Sequence, residues 1–315
     1  MTPTLGDVAS RDPRLTPPSA HELPSDAQRL EVPVVSSPAH AAPVRPSQLE
    51  SVVRLTREGA RTVRLHELAR SMGRARNHAA HELGVIHEQD LGRMLASPRT
   101  LLVEGTTDQA VLAQVLRRSG DRLSLVQPAG SKTRLAVLHH LHLALRIPHH
   151  VLFDGDGGPV SGSSTARHRI LRSRREATEA LVAALRSSSA AAPGSTGATD
   201  STAATDPRWH GEDPAVAGWG FGGPTVVGPS WSALEVDLED ELSRWPSFVS
   251  ALQARGGTLA AKRPERFAEA AEAAWMEDLP SSFRRICAAV ATLEQDFPPQ
   301  PGIPSSERGA SPQDA

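Results

Sequence analysis

Two periods of hydrophobic and polar positions run along this 315-residue chain. Short unbroken apolar runs, Leu101-Leu-Val103 and Val151-Leu-Phe153, each end abruptly in acid, at Glu104 and at Asp154. Runs of that length predict strands buried on both faces, with the acids placed where each strand leaves the sheet. Between them, Ala110, Val111, Val115 and Leu116 recur at helical spacing. They predict a helix from about Thr107 to Arg118, with Thr106 as its N-cap. A strand at 123–127, a turn at Pro128-Ala-Gly130 and a helix from about Lys132 to Arg146 follow, and then the strand at 150–153. Downstream, 164–186 reads as a basic helix, 225–227 as a short strand, and 234–244 as an acidic helix or strand-to-helix junction. Two helices, 263–279 and 281–294, close the pattern. Upstream, 49–96 reads as mostly helical, with Leu65, Leu68 and Met72 on one stripe and breaks near Gly73 and Gly84. Strands alternating with helices predict an α/β domain with a mainly parallel sheet flanked by helices, and helical extensions at both ends.

Outside these segments the pattern fades. Residues 1–47 and 297–315 are rich in Pro, Ser and Ala and poor in large apolar residues. Such segments bury too little surface to offset the entropy of ordering and are expected to be disordered tails. The Ser-, Gly- and Pro-rich stretch at about 187–224 reads as a flexible insertion inside a domain spanning 98–296, which a helical lead-in at 48–97 precedes.

Composition narrows the chemistry. The 34 basic and 36 acidic residues give a net charge of −2, so any nucleic-acid contact must come from local patches. A single cysteine, Cys287, rules out a disulfide framework and a four-thiolate zinc site. The absence of tyrosine excludes any phosphotyrosine intermediate, and aromatics at 3% make base-stacking platforms a poor expectation. No apolar run approaches the roughly 18 residues of a membrane span. The N-terminus has no basic and apolar leader pattern, so a cytoplasmic protein with no membrane partner is expected.

The candidate site is acidic. Two strands side by side bring Glu104, Asp108, Asp154 and Asp156 to one sheet edge, where carboxylates without cations repel and take up protons. A hard divalent ion such as Mg2+ or Mn2+ removes that conflict. Each part also has a plainer reading. Asp154-Gly-Asp156 presents two carboxylates to one side if strand alternation continues, or is a polar turn. Asp108 is a ligand, or a charge suited to a helix N-terminus. Glu235 and Glu239 lie on a solvated acidic face, or are aimed at the site by the docking of Leu234, Leu238 and Leu242. Lys262 is a surface charge or a phosphate partner. Ala129-Gly-Ser-Lys132 lacks the P-loop pattern, so Gly130 and Ser131 are expected to turn into and cap a helix. His139, His140, His142, His149 and His150 show no clear zinc geometry. Arg167, Arg169, Arg172, Arg174 and Arg175 form a basic helical run that meets phosphates or faces solvent.

At this point the residues resemble a Toprim domain. The marks are Glu104-Gly105 at one strand end and Asp154-Gly-Asp156 at a later one. The finer pattern, Leu-Val-Glu-Gly-x-x-Asp, then Gly-x-Lys, then Leu-Phe-Asp-x-Asp, is similar to that of OLD-family (overcoming lysogenization defect) nucleases. The resemblance covers about residues 80–290. It implies a parallel four-stranded sheet in a compact α/β unit, and two ions, Mg2+ or Mn2+, that cut DNA. Glu104 and Asp108 would serve one metal, with Glu104 central to catalysis, and Asp154 and Asp156 the other. Leu234-Glu-Val-Asp-Leu238 resembles the element that nominates Glu235 as a further ligand, with Glu239 as an additional candidate. Lys262 matches the family's late lysine, which would neutralise charge developing on the phosphate. Lys132, Arg167 and Arg169 are the candidate phosphate contacts.

The implied reaction is phosphodiester hydrolysis by a metal-dependent endonuclease. One ion activates water and the other stabilises the leaving oxygen. The chain departs from OLD nucleases in having no Walker A loop and no ATPase domain, so it acts with a separate ATPase or helicase, or without ATP. A topoisomerase would need a tyrosine. A recombination mediator would need a cysteine zinc motif, and a primase further modules. The alternatives are a non-catalytic Toprim module that binds nucleic acid or regulates a repair or phage-defence assembly, and hydrolysis of RNA or a small phosphorylated substrate.

Overall fold

The computed structural model describes residues 51–56, 59–86, 88–190 and 218–294. The expected tails and most of the expected insertion lie outside the described residues. The chain opens on an antiparallel hairpin, β1 (Ser51–Thr56) and β2 (Gly59–Arg64), where the sequence pattern predicted helix. The hairpin forms because Val52 and Val63 are cross-strand partners, both buried over Leu65 and Leu68. Three helices follow, α1 (Leu65–Ser71), α2 (Arg76–Gly84) and α3 (Glu88–Ala96). The first break falls at Gly73, whose φ is +61°, as its glycine suggested, and the second directly after Gly84.

The body then alternates: β3 (Arg99–Val103), α4 (Thr106–Arg118), β4 (Ser124–Pro128), α5 (Lys132–Ala144), β5 (His149–Asp154) and the long α6 (Ser164–Ala190). Beyond it come β6 (Val226–Val227) and β7 (Trp231–Leu234). Four helices finish the fold: α7 (Leu238–Ser243), α8 (Pro246–Ala254), α9 (Pro264–Ala273) and α10 (Ser281–Ala291). The sheet has five strands in the order β4-β3-β5-β7-β6. Four are mutually parallel, as the resemblance implied, and β6 adds an antiparallel edge.

Helices cover both sheet faces, which explains the unbroken apolar runs. Leu101, Val103 and Leu152 enter the core beneath α4, α9 and α10. Leu102, Val151 and Phe153 enter the other, with α5, α6 and the N-terminal elements. Arg99 starts β3 buried, its guanidinium 2.9 Å from Asp121 and also donating to the Ala291 carbonyl, so strand, turn and last helix are tied together. β4 and β5 flank β3 on opposite sides. The chain's direction of travel therefore reverses at β3, and in open α/β sheets the crevice beyond the carboxyl ends at such a switch point is where ligands bind. Glu104 and Asp154 stand at the lips of that crevice.

Candidate functional site

Local backbone chemistry aims the first acids. β3 ends at Val103, and Gly105, not Thr106, is the N-cap of α4. The Asp108 carboxylate reaches back to accept the Gly105 N–H at 2.6 Å, which satisfies a donor that the helix leaves free. The Gly130 N–H donates to the Glu104 carbonyl at 2.7 Å and so pins the two strand ends together. This needs φ +83° at Gly130, a conformation glycine adopts without penalty. Ser131 then caps α5 by accepting from the Arg134 N–H at 3.2 Å, as the sequence suggested.

The Asp154-Gly-Asp156 segment departs from the strand alternation expected of it. β5 stops at Asp154, and Asp156 lies in the left-handed region at φ +58°. The Asp156 and Gly157 N–H groups donate to the carbonyls of Val236 and Glu235, at 2.9 and 3.1 Å. The two aspartates are therefore not a strand pair. The Asp156 carboxylate lies 2.5 Å from Lys132 Nζ, 3.4 Å from Thr178 Oγ1 and 3.6 Å from Arg174 Nε.

Lys132, expected to face phosphate, is only 6% exposed and also sits 3.2 Å from Glu104. Burial works to lower its pKa, yet Glu104 and Asp156 prevail and raise it, which keeps the ammonium charged. Glu104 Oε2 is itself buried and accepts no well-formed hydrogen bond.

Among the described residues no cation forms an ion pair with Asp108 or Asp154. Burial pushes Asp108 up to about 7, with Glu104 and Glu239 adding to the rise and the Gly105 N–H and Lys262 opposing it. Burial pushes Asp154 well above the usual carboxylate range, helped by Asp108, Glu104 and Asp237 against Lys132. Acids from three separate segments therefore act on one another at a single sheet edge: Glu104 and Asp108, then Asp154, then Asp237 and Glu239, whereas Asp156 is taken up by Lys132. Glu239 rather than Glu235 belongs to this set. It acts on Asp108 and holds Lys262 Nζ at 2.7 Å, while Glu235 is exposed. Lys262 has φ +43° and is half exposed at the rim. Asp237 and Thr178 are not among the residues the sequence nominates, and Arg174 is there only as part of the basic run. Asp237 carried a signal, lying two residues before Glu239 at the start of a helix whose first turn it caps. Thr178 and Arg174 had none beyond the basic run.

Arg167 and Arg169 are exposed on the first half of α6, which begins ten residues after Asp154. The five histidines cluster at the opposite edge of the sheet, on α5 and the start of β5. His139 Nδ1 lies 2.8 Å from His149 Nε2, and burial lowers the pKa of all five. They are neutral core groups.

The donor set, half-buried carboxylates that repel one another, suits a hard divalent cation in kind. In placement it is less complete. Among the described residues no three His, Cys, Asp or Glu side chains stand grouped closely enough to hold a metal ion.

Residues 96–156 match the family model described as overcoming lysogenization defect protein-like, TOPRIM domain. The match runs from the end of α3 to Asp156. Among solved structures, the chain is similar to the C-terminal region of the Burkholderia pseudomallei OLD protein, at 16% identity and a TM-score of 0.36, covering 63% of this chain and 98% of that one. No curated protein sequence matches the chain. Among the described residues no helix is long and apolar enough to cross a membrane.

Proposed function

We propose that this chain, whose residues 96–156 match the model of an OLD-like Toprim domain, is a divalent-metal-dependent nuclease that hydrolyses DNA phosphodiester bonds. One observation carries the reading. Asp108 and Asp154, from different elements, stand half-buried with Glu104 at the switch-point crevice, where desolvation raises both carboxyls, Glu104 adds to both and Asp108 adds to Asp154. Stored repulsion of this kind is what cation binding relieves, and perturbed carboxylates in a cleft mark functional sites.

Glu104, Asp108 and Asp154 would hold the metal, Mg2+ or Mn2+, with Glu239 as the late acid in place of Glu235. When bound, such an ion supplies Lewis-acid polarisation of the phosphodiester and an activated water at neutral pH. The chain's own residues do the rest. Lys262, at the rim, offers positive charge to the phosphate as negative charge develops. Arg167 and Arg169, both exposed on the first half of α6, would hold the backbone of the substrate. Lys132 we assign to its two carboxylates rather than to DNA.

Plasmid nicking in Mn2+ or Mg2+ tests the proposal. The parent chain should convert supercoiled plasmid to open circles, and Glu104→Ala and Asp154→Ala should each lose this activity by about 100-fold or more, the scale of a lost electrostatic stabiliser. Equal cutting by parent and both variants would place the chemistry elsewhere. Structured RNA and nucleotides run in parallel identify the substrate class.

A second reading is favoured by the absence, among the described residues, of a ready-grouped set of three ligands. On that reading the chain is a non-catalytic module that binds nucleic acid or regulates an assembly. Calorimetry showing no heat of binding at millimolar Mn2+, with DNA still bound, would select it.

A further inference from the structure

We infer that Lys132 takes the place of one of the two cations the site would otherwise need, so that the chain binds a single divalent ion on the Asp108–Asp154 side. The inference rests on the metal-dependent reading above and departs from the two-ion form implied by resemblance.

The acids divide unequally. Asp156 is already supplied with positive charge, having Lys132 Nζ at 2.5 Å and Arg174 Nε at 3.6 Å, with Thr178 Oγ1 at 3.4 Å. Lys132 also lies 3.2 Å from Glu104 and thus bridges two carboxylates from different strand ends, which is the office of a metal ion. Its position is fixed by the fold. It is the first residue of α5, directly after the Ser131 cap and the Gly130 turn that is hydrogen-bonded to Glu104. With 6% of its surface exposed, the ammonium has no solvent to retreat into. Displacing it would strand a buried charge, the costliest way to break such a pair. The geometry of Asp156 agrees. A non-glycine residue at φ +58° is uncommon, and here it leads into a carboxylate held by Lys132, Thr178 and Arg174. By contrast, Asp108 accepts the Gly105 N–H and has Glu239 and Glu104 as acidic neighbours. Lys262, the cation on that side, is half exposed and engaged by Glu239. Lys132 acts on Asp154 as well, but among the described residues no cation forms an ion pair with Asp108 or Asp154, and there an added ion gains most.

Mn2+ binding to the full chain, followed by calorimetry and by the electron paramagnetic resonance signal of free Mn2+, reads the stoichiometry directly and needs no activity. The expected result is one ion per chain. Asp156→Asn should keep that ion within about threefold in affinity, whereas Asp154→Asn should weaken it by about tenfold or more, equivalent to about 1.4 kcal/mol. Lys132→Met, if circular dichroism shows it folded, should admit a second ion; a folded variant that still binds one overturns the inference. If that variant does not fold, the comparison of Asp156→Asn with Asp154→Asn decides. Two ions on the parent chain, or loss of an ion in Asp156→Asn, would overturn the inference and leave the nuclease proposal standing. No binding by the parent overturns both.

Discussion

Gly155 is where the site is most sensitive to a single atom. A Cβ there would lie 2.1 Å from the Leu234 carbonyl oxygen and 2.8 Å from that of Glu235. Both obstacles are backbone, so neither can swing aside. Gly155→Ala is expected to push the Asp154–Asp156 loop off β7 and cost about 1–3 kcal/mol, the usual range for overpacking, seen as a lower urea midpoint with an unchanged slope. A midpoint equal to that of the parent would mean that the loop does not need this approach. The same residues show what the sequence could tell at this scale. The strand-end acids Glu104 and Asp154 were legible because an apolar run stopping in acid has few other meanings. The orientation of Asp156 was not, because alternation holds only while the strand continues, and the left-handed turn at Asp156 depends on backbone contacts with residues some eighty positions later. Choosing Glu239 over Glu235 likewise required knowing that β7 ends at Leu234 and a helix begins at Leu238.

At the scale of elements, α6 carries the best test of substrate binding. Its first half holds Arg167, Arg169, Arg172 and Arg175 exposed, with no acid before Glu176. If these arginines neutralise phosphates, Arg167→Ala and Arg169→Ala should each weaken duplex binding regardless of sequence. Each should also flatten the plot of log affinity against log salt by about 0.9 for every phosphate left without its cation. Fluorescence anisotropy across a salt series checks this, and unchanged slopes would return the helix face to solvent. Most of these elements were legible because their apolar period fitted one type only. The hairpin of β1 and β2 was not. Leu65, Leu68 and Met72 form a helical stripe directly after it, and the period-2 signal of Val52 and Val63 is too short to compete in a window that includes them. β7, four residues long at Trp231–Leu234, fell between the strand expected at 225–227 and the acidic segment expected from 234, too short a run to read by itself.

For the whole molecule, the acids and the histidines set opposite limits on stability. All five clustered histidines have pKa values lowered by burial, His142 and His150 to about 4. The unfolded chain therefore binds protons that the folded chain refuses, and their contribution is lost as pH falls below about 6.5. Asp108 and Asp154 are raised, so the folded chain holds protons that the unfolded one has released. Their contribution is full below the ordinary carboxylate range and declines as pH rises, through about 7 for Asp108 and further for Asp154. Between about pH 4 and 6.5 five histidines oppose two aspartates, so acid destabilises. Above about 6.5 only the aspartates still act, so alkali destabilises, by about 1.4 kcal/mol per pH unit for each proton concerned. Melting temperature in chelator should thus peak near neutrality. The alkaline decline should shrink in Asp154→Asn, where no charge forms at that position, to the part that Asp108 contributes up to about pH 7. It should also shrink in Mn2+, where saturation at about 100 times the dissociation constant adds about 2.7 kcal/mol and each kcal/mol is worth about 2–4 °C in a chain of this order of size. Neither change should relieve the acid decline, which the histidines at the far edge of the sheet cause, and in Asp154→Asn it should steepen because one opposing aspartate is gone. Differential scanning calorimetry from about pH 5 to 9, with and without Mn2+, separates the two limbs. An alkaline limb that Mn2+ leaves untouched would mean that the buried carboxylates are not where the ion binds.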